Sequence, residues 1–354
     1  MNKTNSQNNW KKELAESFTS LKEVSKSINV PRELFEVEKT YPILVSEYYK
    51  TLINPKLGIN DPIWKQCIPS IEEITDTYSS EDPLSEEKQM PVNRLIHRYK
   101  DRAVILVTSR CTTYCRFCFR KRYWKNDNNL KDITDKEIDK IVEYLHANIQ
   151  IKDILISGGD PLTLTNRKVY KLLLKLTAVK NLETLRIATR VPVTMPSRID
   201  EELVAILSRF NGLWLVTHFN HPNEITKESM SACKKIISSG IPILNQTVLL
   251  KGINDDEIIL ENLFRELAKN RIKPHYLFHV DPIKGAKHFA TGTKKGLEIM
   301  KCFRTSLSSI ATPTFAIDLP EGCGKVSLQP SYETENGFLS INGDKTVKYY
   351  GSEI

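Results

Sequence analysis

A regular alternation of short apolar runs with amphipathic segments begins near residue 100 and continues to about residue 317. We predict β-strands at 103–108, 152–157, 184–188, 213–217, 242–248, 274–280 and 314–317. We predict helices between them at 134–147, 166–177, 200–209, 224–239, 255–269 and 293–307. This pattern indicates an α/β fold with a parallel sheet and helices outside it. Its repeat favours a barrel or partial barrel over an open sheet, although periodicity alone does not separate the two.

Nearly every chemically unusual residue follows the end of a predicted strand. These positions are the cysteine loop 111–118, the segment 157–160, Thr189 with Arg190, the segment 217–221, the segment 279–281, and Asp318. In barrels, the loops at the C-terminal ends of the strands build the active site. The sequence therefore predicts that these residues meet at one end of a barrel.

The first of these loops contains Cys111, Cys115 and Cys118 in a C-x3-C-x2-C spacing. Three thiolates can hold three irons of a [4Fe–4S] cluster and leave the fourth iron free for another ligand, whereas ferredoxin spacings supply four cysteines. A structural zinc site also takes four ligands. A zinc site completed by a distant histidine, or three unrelated buried thiols, are the alternatives that the spacing leaves open.

Composition narrows the class of protein. The 354 residues carry a formal net charge of +8, but the basic residues are interleaved with acidic ones, so we do not expect a nucleic-acid partner. There is no apolar run long enough to span a bilayer. The polar N-terminus lacks the apolar core of a signal peptide, and the odd number of cysteines, seven, does not suggest a disulfide framework. We therefore expect a cytoplasmic protein without a membrane partner.

The first 95 residues read as mostly helical, with helical spacing in 10–27 and 32–52 and a connector at 53–95. We expect three parts: an N-terminal helical region with connector at 1–95, a barrel at 96–331, and a short tail at 332–354.

Four segments each allow a functional and a plainer interpretation. The Ser157–Asp160 loop could approach a small zwitterion or form an ordinary turn into a helix. The basic run 97–102 could bind a phosphate or lie on the surface. The segment 217–224 could contact a ligand or contain a histidine pair that is only structural. Lys325, on a glycine-containing loop, could condense with an aldehyde cofactor or be a surface lysine.

Taken in order, these segments resemble one family. They are the His-Arg-Tyr run, C-x3-C-x2-C-x-R, Ser-Gly-Gly-Asp, Thr-His-Phe-Asn-His-Pro-Asn-Glu, Asn-Gln-x-Val-Leu-Leu, Tyr-Leu-x-x-x-Asp and Asp-x-Pro-x-Gly-x-Gly-Lys. This order resembles lysine 2,3-aminomutase and its relatives, which are radical S-adenosylmethionine (SAM) enzymes that also use pyridoxal phosphate. The resemblance runs from Asp61 to about Ser331 and implies a partial (β/α) TIM-like barrel with an N-terminal helical extension.

The resemblance also implies roles for matching residues. The [4Fe–4S] cluster would be ligated by Cys111, Cys115 and Cys118, and SAM would be contacted by Ser157, Gly158, Gly159, Asp160, His218 and Gln246. The phosphate of pyridoxal phosphate would be bound by Arg98 and Arg102, and its aldehyde by Lys325. The substrate α-carboxylate would pair with Arg120, and the distal ammonium of the substrate with Asp281 and Asp318. The implied reaction moves the α-amino group of L-lysine to the β-carbon. The implied partners are an amino acid and an electron donor of the reduced flavodoxin or ferredoxin type.

Two departures from the family pattern limit what carries over. The lysine loop reads Glu321-Gly322-Cys323-Gly324 where the family usually has four glycines. The chain ends at Ile354 without the cysteine-rich tail of longer relatives, and Asp256 stands where those relatives have a zinc cysteine. We therefore expect iron but no stoichiometric zinc, and whether the protein is a homo-oligomer stays open.

Other functions stay open at this point. Free arginine or ornithine are rival substrates, and a β-lysine-forming enzyme that serves translation-factor modification is a rival role. A non-catalytic iron–sulfur or zinc-binding protein is the rival of another class.

Overall fold

The computed structural model describes residues 9–76, 79–124 and 130–348. The expectations about the polar N-terminus and about the end of the tail fall partly on residues 1–8 and 349–354, which lie outside the described residues.

A nine-stranded sheet forms the centre of the molecule. Its strands are β1 Leu95–Tyr99, β2 Arg102–Leu106, β3 Asp153–Ser157, β4 Thr184–Ala188, β5 Leu213–Thr217, β6 Ile243–Leu249, β7 Ile272–His279, β8 Thr314–Leu319 and β9 Gly324–Leu328. They lie in sequence order, with β2 to β8 parallel and with β1 and β9 antiparallel to their neighbours. Within the described chain β1 and β9 do not pair, so the barrel is partial, and the predicted fold class is confirmed.

Helices cover the outside of this sheet. Their bounds are α1 Asn9–Ala15, α2 Leu21–Val24, α3 Leu34–Thr40, α4 Glu47–Thr51, α5 Pro62–Cys67, α6 Glu72–Thr75, α7 Asp135–Ala147, α8 Asn166–Thr177, α9 Val191–Thr194, α10 Glu201–Leu207, α11 Lys227–Ser238, α12 Glu257–Lys269 and α13 Thr293–Ser306. The helix α7 begins at a capping box in which Thr134 and Glu137 exchange side-chain hydrogen bonds.

Side chains along a strand alternate between the hydrophobic core and the central cavity. In β3, Ile154 and Ile156 are buried in the core that the helices share, whereas Leu155 and Ser157 line the central cavity. Successive side chains of a strand point to opposite faces, so the same strands supply both the packing and the chemistry.

Three elements differ from the sequence-based expectation. The sequence predicts that the basic run 97–102 precedes the first strand, but its residues 97–99 lie inside β1, which pairs with β2. Lys325 lies on β9, opposite Asp318 of β8, and not on a loop. The N-terminal segments 10–27 and 32–52 each break into two short helices, and a small sheet of β10 Glu333–Thr334, β11 Gly337–Leu339 and β12 Thr346–Val347 follows the barrel.

Among residues 9–76, 79–124 and 130–348, no helix combines the length and the apolar character that crossing a membrane requires.

Candidate active site

A cavity of about 620 Å³ opens at the C-terminal ends of the parallel strands. It is lined by every residue for which the sequence predicted a site role. These residues are Arg98, Arg102, Cys111, Cys115, Cys118, Arg120, Ser157, Gly158, Gly159, Asp160, His218, Gln246, Asp281, Asp318 and Lys325. Positions more than 200 residues apart in the chain thus share one space.

The three cysteines of the motif are free thiols on the cavity wall, in the loop that follows β2. Burial raises the pKa of Cys118 to about 11, with the nearby Cys115 adding to the shift, and burial also holds the pKa of Cys111 well above its usual value. Within the described chain no three His, Cys, Asp or Glu side chains converge where a single ion would bind. A [4Fe–4S] cluster takes one thiolate per iron, so three thiols that face a shared space suit its ligation without meeting at one point.

A buried charge cluster anchors this loop to the N-terminal region. Arg116 donates to both oxygens of Glu73, at 2.9 and 2.7 Å, and Lys121 Nζ donates to Glu73 Oε2 at 2.7 Å. Arg116 and Glu73 are almost fully buried. The carboxylate of Glu73, on α6, therefore binds side chains on both sides of Cys118 and holds the cysteine loop in place.

The Ser157–Asp160 loop packs directly against the segment that leads into the cysteine loop. A Cβ at Gly158 would lie 2.4 Å from Thr108 O, and one at Gly159 would lie 2.3 Å from Arg110 O, so both positions require glycine. The N–H of Gly159 donates to Thr108 O at 2.6 Å, and the N–H of Asp160 donates to Arg110 O at 2.6 Å. These amides hold the cysteine loop, and their contact with SAM stays a prediction.

The carboxylate of Asp160 also has partners within the protein. It accepts hydrogen bonds from Thr189 Oγ1 at 2.7 Å, from the N–H of Arg190 at 2.8 Å and from the N–H of Leu162 at 3.0 Å. Asp160 thus joins the ends of β3 and β4, and its role toward a ligand stays a prediction.

His218, which directly follows β5, is one of the residues that line the cavity. Its Nε2 atom is buried and has no hydrogen-bond partner. Burial, followed by the charge of Arg190, lowers the pKa of His218 to about 3, so the ring is neutral. Gln246 of β6 lines the same cavity. A neutral imidazole with a free nitrogen suits a hydrogen bond to a polar ligand in this part of the cavity.

Lys325 faces the cavity between an aromatic wall and a carboxylate. Its Nζ lies 4.5 Å from the ring centre of Tyr276, 4.2 Å from that of Phe278 and 4.0 Å from Asp318 Oδ2. Burial lowers the pKa of Lys325, although Asp318 opposes the shift. A larger fraction of neutral amine makes the residue a better nucleophile toward an aldehyde.

Two arginines of the β1–β2 hairpin lie near this lysine. Arg98 Nη1 is 3.9 Å from Asp318 Oδ1, and its Nε donates to Gln89 Oε1 at 2.7 Å. Arg102 stacks on Tyr99 at 3.8 Å, and the hydroxyl of Tyr99 accepts the backbone N–H of Lys325 at 2.8 Å. The hairpin therefore fixes both the guanidinium groups and the strand that bears the lysine.

Asp281 stands across from Lys325 at the end of β7. Burial, followed by the negative charge of Asp318, raises the pKa of Asp281 to about 7, while the charge of Lys325 opposes the shift. Two carboxylates that share one buried space disfavour joint ionisation, so this end of the cavity is suited to receive a cation.

Arg120 is held by an internal carboxylate. Its Nε and Nη2 donate to Glu86, at 3.0 and 2.7 Å, and its Nη1 donates to Ser157 Oγ at 3.0 Å. Arg122 Nη2 donates to the same Glu86 at 3.1 Å. Arg120 faces the cavity as predicted, but one edge of its guanidinium is already paired.

Sequence reasoning gave no role to Arg190 or Glu86, although both line the cavity. Arg190 directly follows the predicted third strand, and that position was the available signal. Glu86 lies in the connector, where nothing in the sequence marks it, because its partners Arg120 and Arg122 are more than 30 residues away.

The residues present fit the groups that the resemblance implies. The three thiols and the Nε2 atom of His218, which has no hydrogen-bond partner, form one set of groups among the cavity-lining residues. The lysine with a lowered pKa and the two arginines of the β1–β2 hairpin form a second set. The first set suits an iron–sulfur cluster with SAM, and the second suits an aldehyde that carries a phosphate.

Comparison with known proteins agrees with this arrangement. Residues 105–261 match the model of the radical SAM superfamily. The fold and the site therefore define a radical SAM protein.

Three relatives narrow the family. The chain is 39% identical over 345 residues to the L-lysine 2,3-aminomutase of Acetoanaerobium sticklandii, a match that covers 96% of this chain and 81% of that one. It is 38% identical over 332 residues to the L-lysine 2,3-aminomutase of Methanococcus maripaludis, covering 92% and 76%. It is also 38% identical over 334 residues to the glutamate 2,3-aminomutase of Clostridioides difficile, covering 93% and 78%. The chain belongs to the lysine 2,3-aminomutase family.

Proposed function

We propose that this protein is a radical SAM, pyridoxal phosphate-dependent isomerase that converts L-lysine to β-lysine by moving the α-amino group to the β-carbon. One observation carries the proposal: a single cavity joins the three cysteines of the motif to Lys325 and to the pair Asp281 and Asp318. When bound, the cluster with SAM supplies a hydrogen-abstracting radical, and pyridoxal phosphate supplies a conjugated system across which nitrogen can move.

Lys325 and the hairpin arginines hold the aldehyde cofactor in this scheme. The lowered pKa of Lys325 keeps part of its amine neutral and able to attack the aldehyde. Arg98 and Arg102 supply guanidinium donors that match a phosphate. Tyr99 fixes the backbone of Lys325 from the same hairpin, so the lysine and the phosphate-binding groups keep a constant spacing.

The residues at the two ends of the substrate set its orientation. Arg120 binds the α-carboxylate through the part of its guanidinium that Glu86 does not occupy, and Asp281 with Asp318 binds the distal ammonium. Sequence identity does not choose between lysine and glutamate, because relatives of both names are about equally similar. The carboxylate pair favours lysine, because a distal ammonium offsets the repulsion between the two acidic groups, whereas the distal carboxylate of glutamate would add to it.

Three further assignments belong to the same proposal. A reduced flavodoxin- or ferredoxin-type protein donates the electron that the cluster needs. The protein acts in the cytoplasm, since its seven thiols are free and a reducing compartment preserves them. A homo-oligomer is compatible with the fold, and size measurement in solution decides the state.

Anaerobic incubation of the reconstituted protein with SAM, pyridoxal phosphate, a reductant and L-lysine tests the proposal, with product identified by mass spectrometry and NMR. We expect β-lysine from the native chain and none from Cys111→Ala, Cys115→Ala or Cys118→Ala. The matched control is Cys302→Ala, which changes an exposed cysteine outside the cavity and should leave product formation intact. A native chain with a full complement of iron and pyridoxal phosphate that leaves all tested amino acids unchanged would refute the function.

A further inference from the structure

Arg190 follows β4 and reaches the cysteine loop. The side chain is 8% exposed. Its Nη1 donates to Cys115 Sγ at 2.9 Å, and its Nε donates to the carbonyl of His218 at 3.2 Å. One guanidinium therefore contacts both a cysteine of the motif and the backbone carbonyl of His218.

The opposite edge of this guanidinium is fixed by three acceptors. Arg190 Nη2 lies 2.6 Å from Glu224 Oε1, 2.6 Å from Gln66 Oε1 and 2.9 Å from the hydroxyl of Tyr49. The acceptors come from three separate segments of the chain, and they hold the plane of the guanidinium in one orientation. The Nη1 group is thus aimed at Cys115 before any cofactor binds.

Glu224 makes this arrangement rigid. It is fully buried, and it also accepts the N–H groups of Asn220 at 2.6 Å and of His221 at 3.0 Å. A purely structural ion pair would need only the edge of Arg190 that faces Glu224. The Nη1 group of Arg190 instead donates its hydrogen bond to a sulfur atom, which is a weak acceptor.

Hydrogen bonds to the cysteine sulfurs of an iron–sulfur cluster are one of the factors that set its reduction potential. Reduction adds negative charge to the cluster, and a cation held at a ligating sulfur stabilises that charge more than it stabilises the oxidised form. We propose that Arg190 is a positioning residue that raises the reduction potential of the cluster through its hydrogen bond to Cys115. The inference rests on the proposed function, because it requires that Cys115 ligate a cluster.

The direct test is the midpoint potential of the anaerobically reconstituted protein, measured by redox titration followed by EPR, with iron and sulfide counted for each variant. For Arg190→Gln we expect the equilibrium constant for one-electron reduction to fall at least tenfold, a negative shift of about 59 mV. Arg190→Lys should shift the potential less, because it keeps a cation. The matched control is Arg198→Gln, which removes another buried guanidinium. The Nε and Nη2 groups of Arg198 donate to the carbonyls of Leu162 and Leu164. The midpoint potential of this variant should equal that of the native chain.

A second measurement does not depend on the folding of any variant. Native protein made with arginine labelled with ¹⁵N in the guanidinium should show ¹⁵N hyperfine coupling to the reduced cluster in ENDOR spectra. Absence of that coupling, or an Arg190→Gln variant with a complete cluster and a native potential, would overturn the proposal. Weaker SAM binding at an unchanged potential would also overturn it and assign Arg190 to SAM. A native chain that holds no reducible cluster refutes the proposed function instead.

Discussion

Burial changes two groups at the Lys325 end of the cavity in opposite directions. It lowers the pKa of the Lys325 amine and raises the pKa of Asp281 to about 7. Both shifts favour the uncharged form, because desolvation penalises charge. The ligand-free site therefore holds less charge than the number of its ionisable side chains suggests.

The first prediction at this scale concerns Lys325. Borohydride treatment of the protein with pyridoxal phosphate should place a stable pyridoxyl label on Lys325, because this half-buried lysine lines the cavity and its amine has a lowered pKa. Peptide mapping by mass spectrometry locates the label. Lys284 and Lys287 are exposed and serve as internal controls, and a label on either of them in place of Lys325 would contradict the assignment.

The second prediction concerns the pH dependence that Asp281 imposes. A substrate ammonium binds the ionised carboxylate, so kcat/KM for lysine should rise with pH and level off above about 7, the pKa of this group. Burial is the main cause of that pKa, and the charged neighbours Asp318, Lys325, Glu86 and Arg120, which modify it, stay in place in Asp281→Asn. This variant should have a lower kcat/KM and should lose the rise near pH 7. A rise that persists in the variant would assign it to another group.

At the scale of elements, the connector before β1 does more than link two regions. Glu86 holds Arg120, Gln89 and the carbonyl of Leu84 hold Arg98, and the carbonyl of Pro83 accepts the N–H of Glu321 in the lysine-bearing turn at 3.0 Å. The short segment 83–89 thus positions Arg120, Arg98 and the turn that precedes Lys325. Sites need such supporting contacts, since a misplacement of about 1 Å is costly for catalysis.

Glu86→Gln tests that interpretation. Loss of the carboxylate frees the Nε edge of Arg120, and we expect KM for lysine to rise about tenfold, which corresponds to about 1.4 kcal/mol. Steady-state kinetics give the measurement. The control is Glu87→Gln, a neighbouring side chain that is 67% exposed, whose KM should not change. A fall in KM would show that Glu86 competes with the substrate carboxylate and does not orient Arg120.

The parallel strands could be predicted from sequence because each is a local apolar run with turn signals around it. The edge strands could not. His97 and Arg98 gave β1 the polarity of a surface loop, and Gly322 and Gly324 gave the start of β9 the composition of a turn. Both strands exist because they pair with β2 and β8, and that pairing is a tertiary effect that local composition does not report.

The residues of the site also divide into those that could be predicted from the sequence and those that could not. The resemblance supplied residues that carry chemistry, such as Lys325 and the cysteines. It gave no positioning role to Glu86, which lies outside its motifs, or to Glu224, which ends the motif at 217–224. Glu86 and Glu224 each lie more than 30 residues along the chain from the arginine that they hold. A single sequence does not indicate which distant residues will be in contact.

At the scale of the whole molecule, the N-terminal region and the barrel share one hydrophobic core. Leu21 and Tyr49 belong to the same cluster of buried side chains as Ile154 and Phe315. Glu73 adds a polar link, since it pairs with Arg116 and Lys121 of the cysteine loop. The N-terminal region therefore supports the cysteine loop structurally.

Glu73→Gln tests this link. The change leaves Arg116 and Lys121 buried without their carboxylate, and loss of one partner of a buried ion pair costs about 3–5 kcal/mol of unfolding free energy. Denaturant titration of the protein measures the loss. The matched control is Glu72→Gln, an exposed neighbour, for which we expect a change within about 0.5 kcal/mol. Equal stability of the two variants would contradict the supporting role of Glu73.

The identity of the preferred substrate tests the central claim most directly, because the claim is that the carboxylate pair selects a cationic amino acid. Turnover of lysine, arginine, ornithine and glutamate should be compared in the native chain, in Asp281→Asn and in Asp318→Asn. We predict that lysine is the best substrate of the native chain, that glutamate is rejected, and that each substitution strongly reduces lysine turnover. Glutamate as the best substrate, or unimpaired lysine turnover in both variants, would contradict the account.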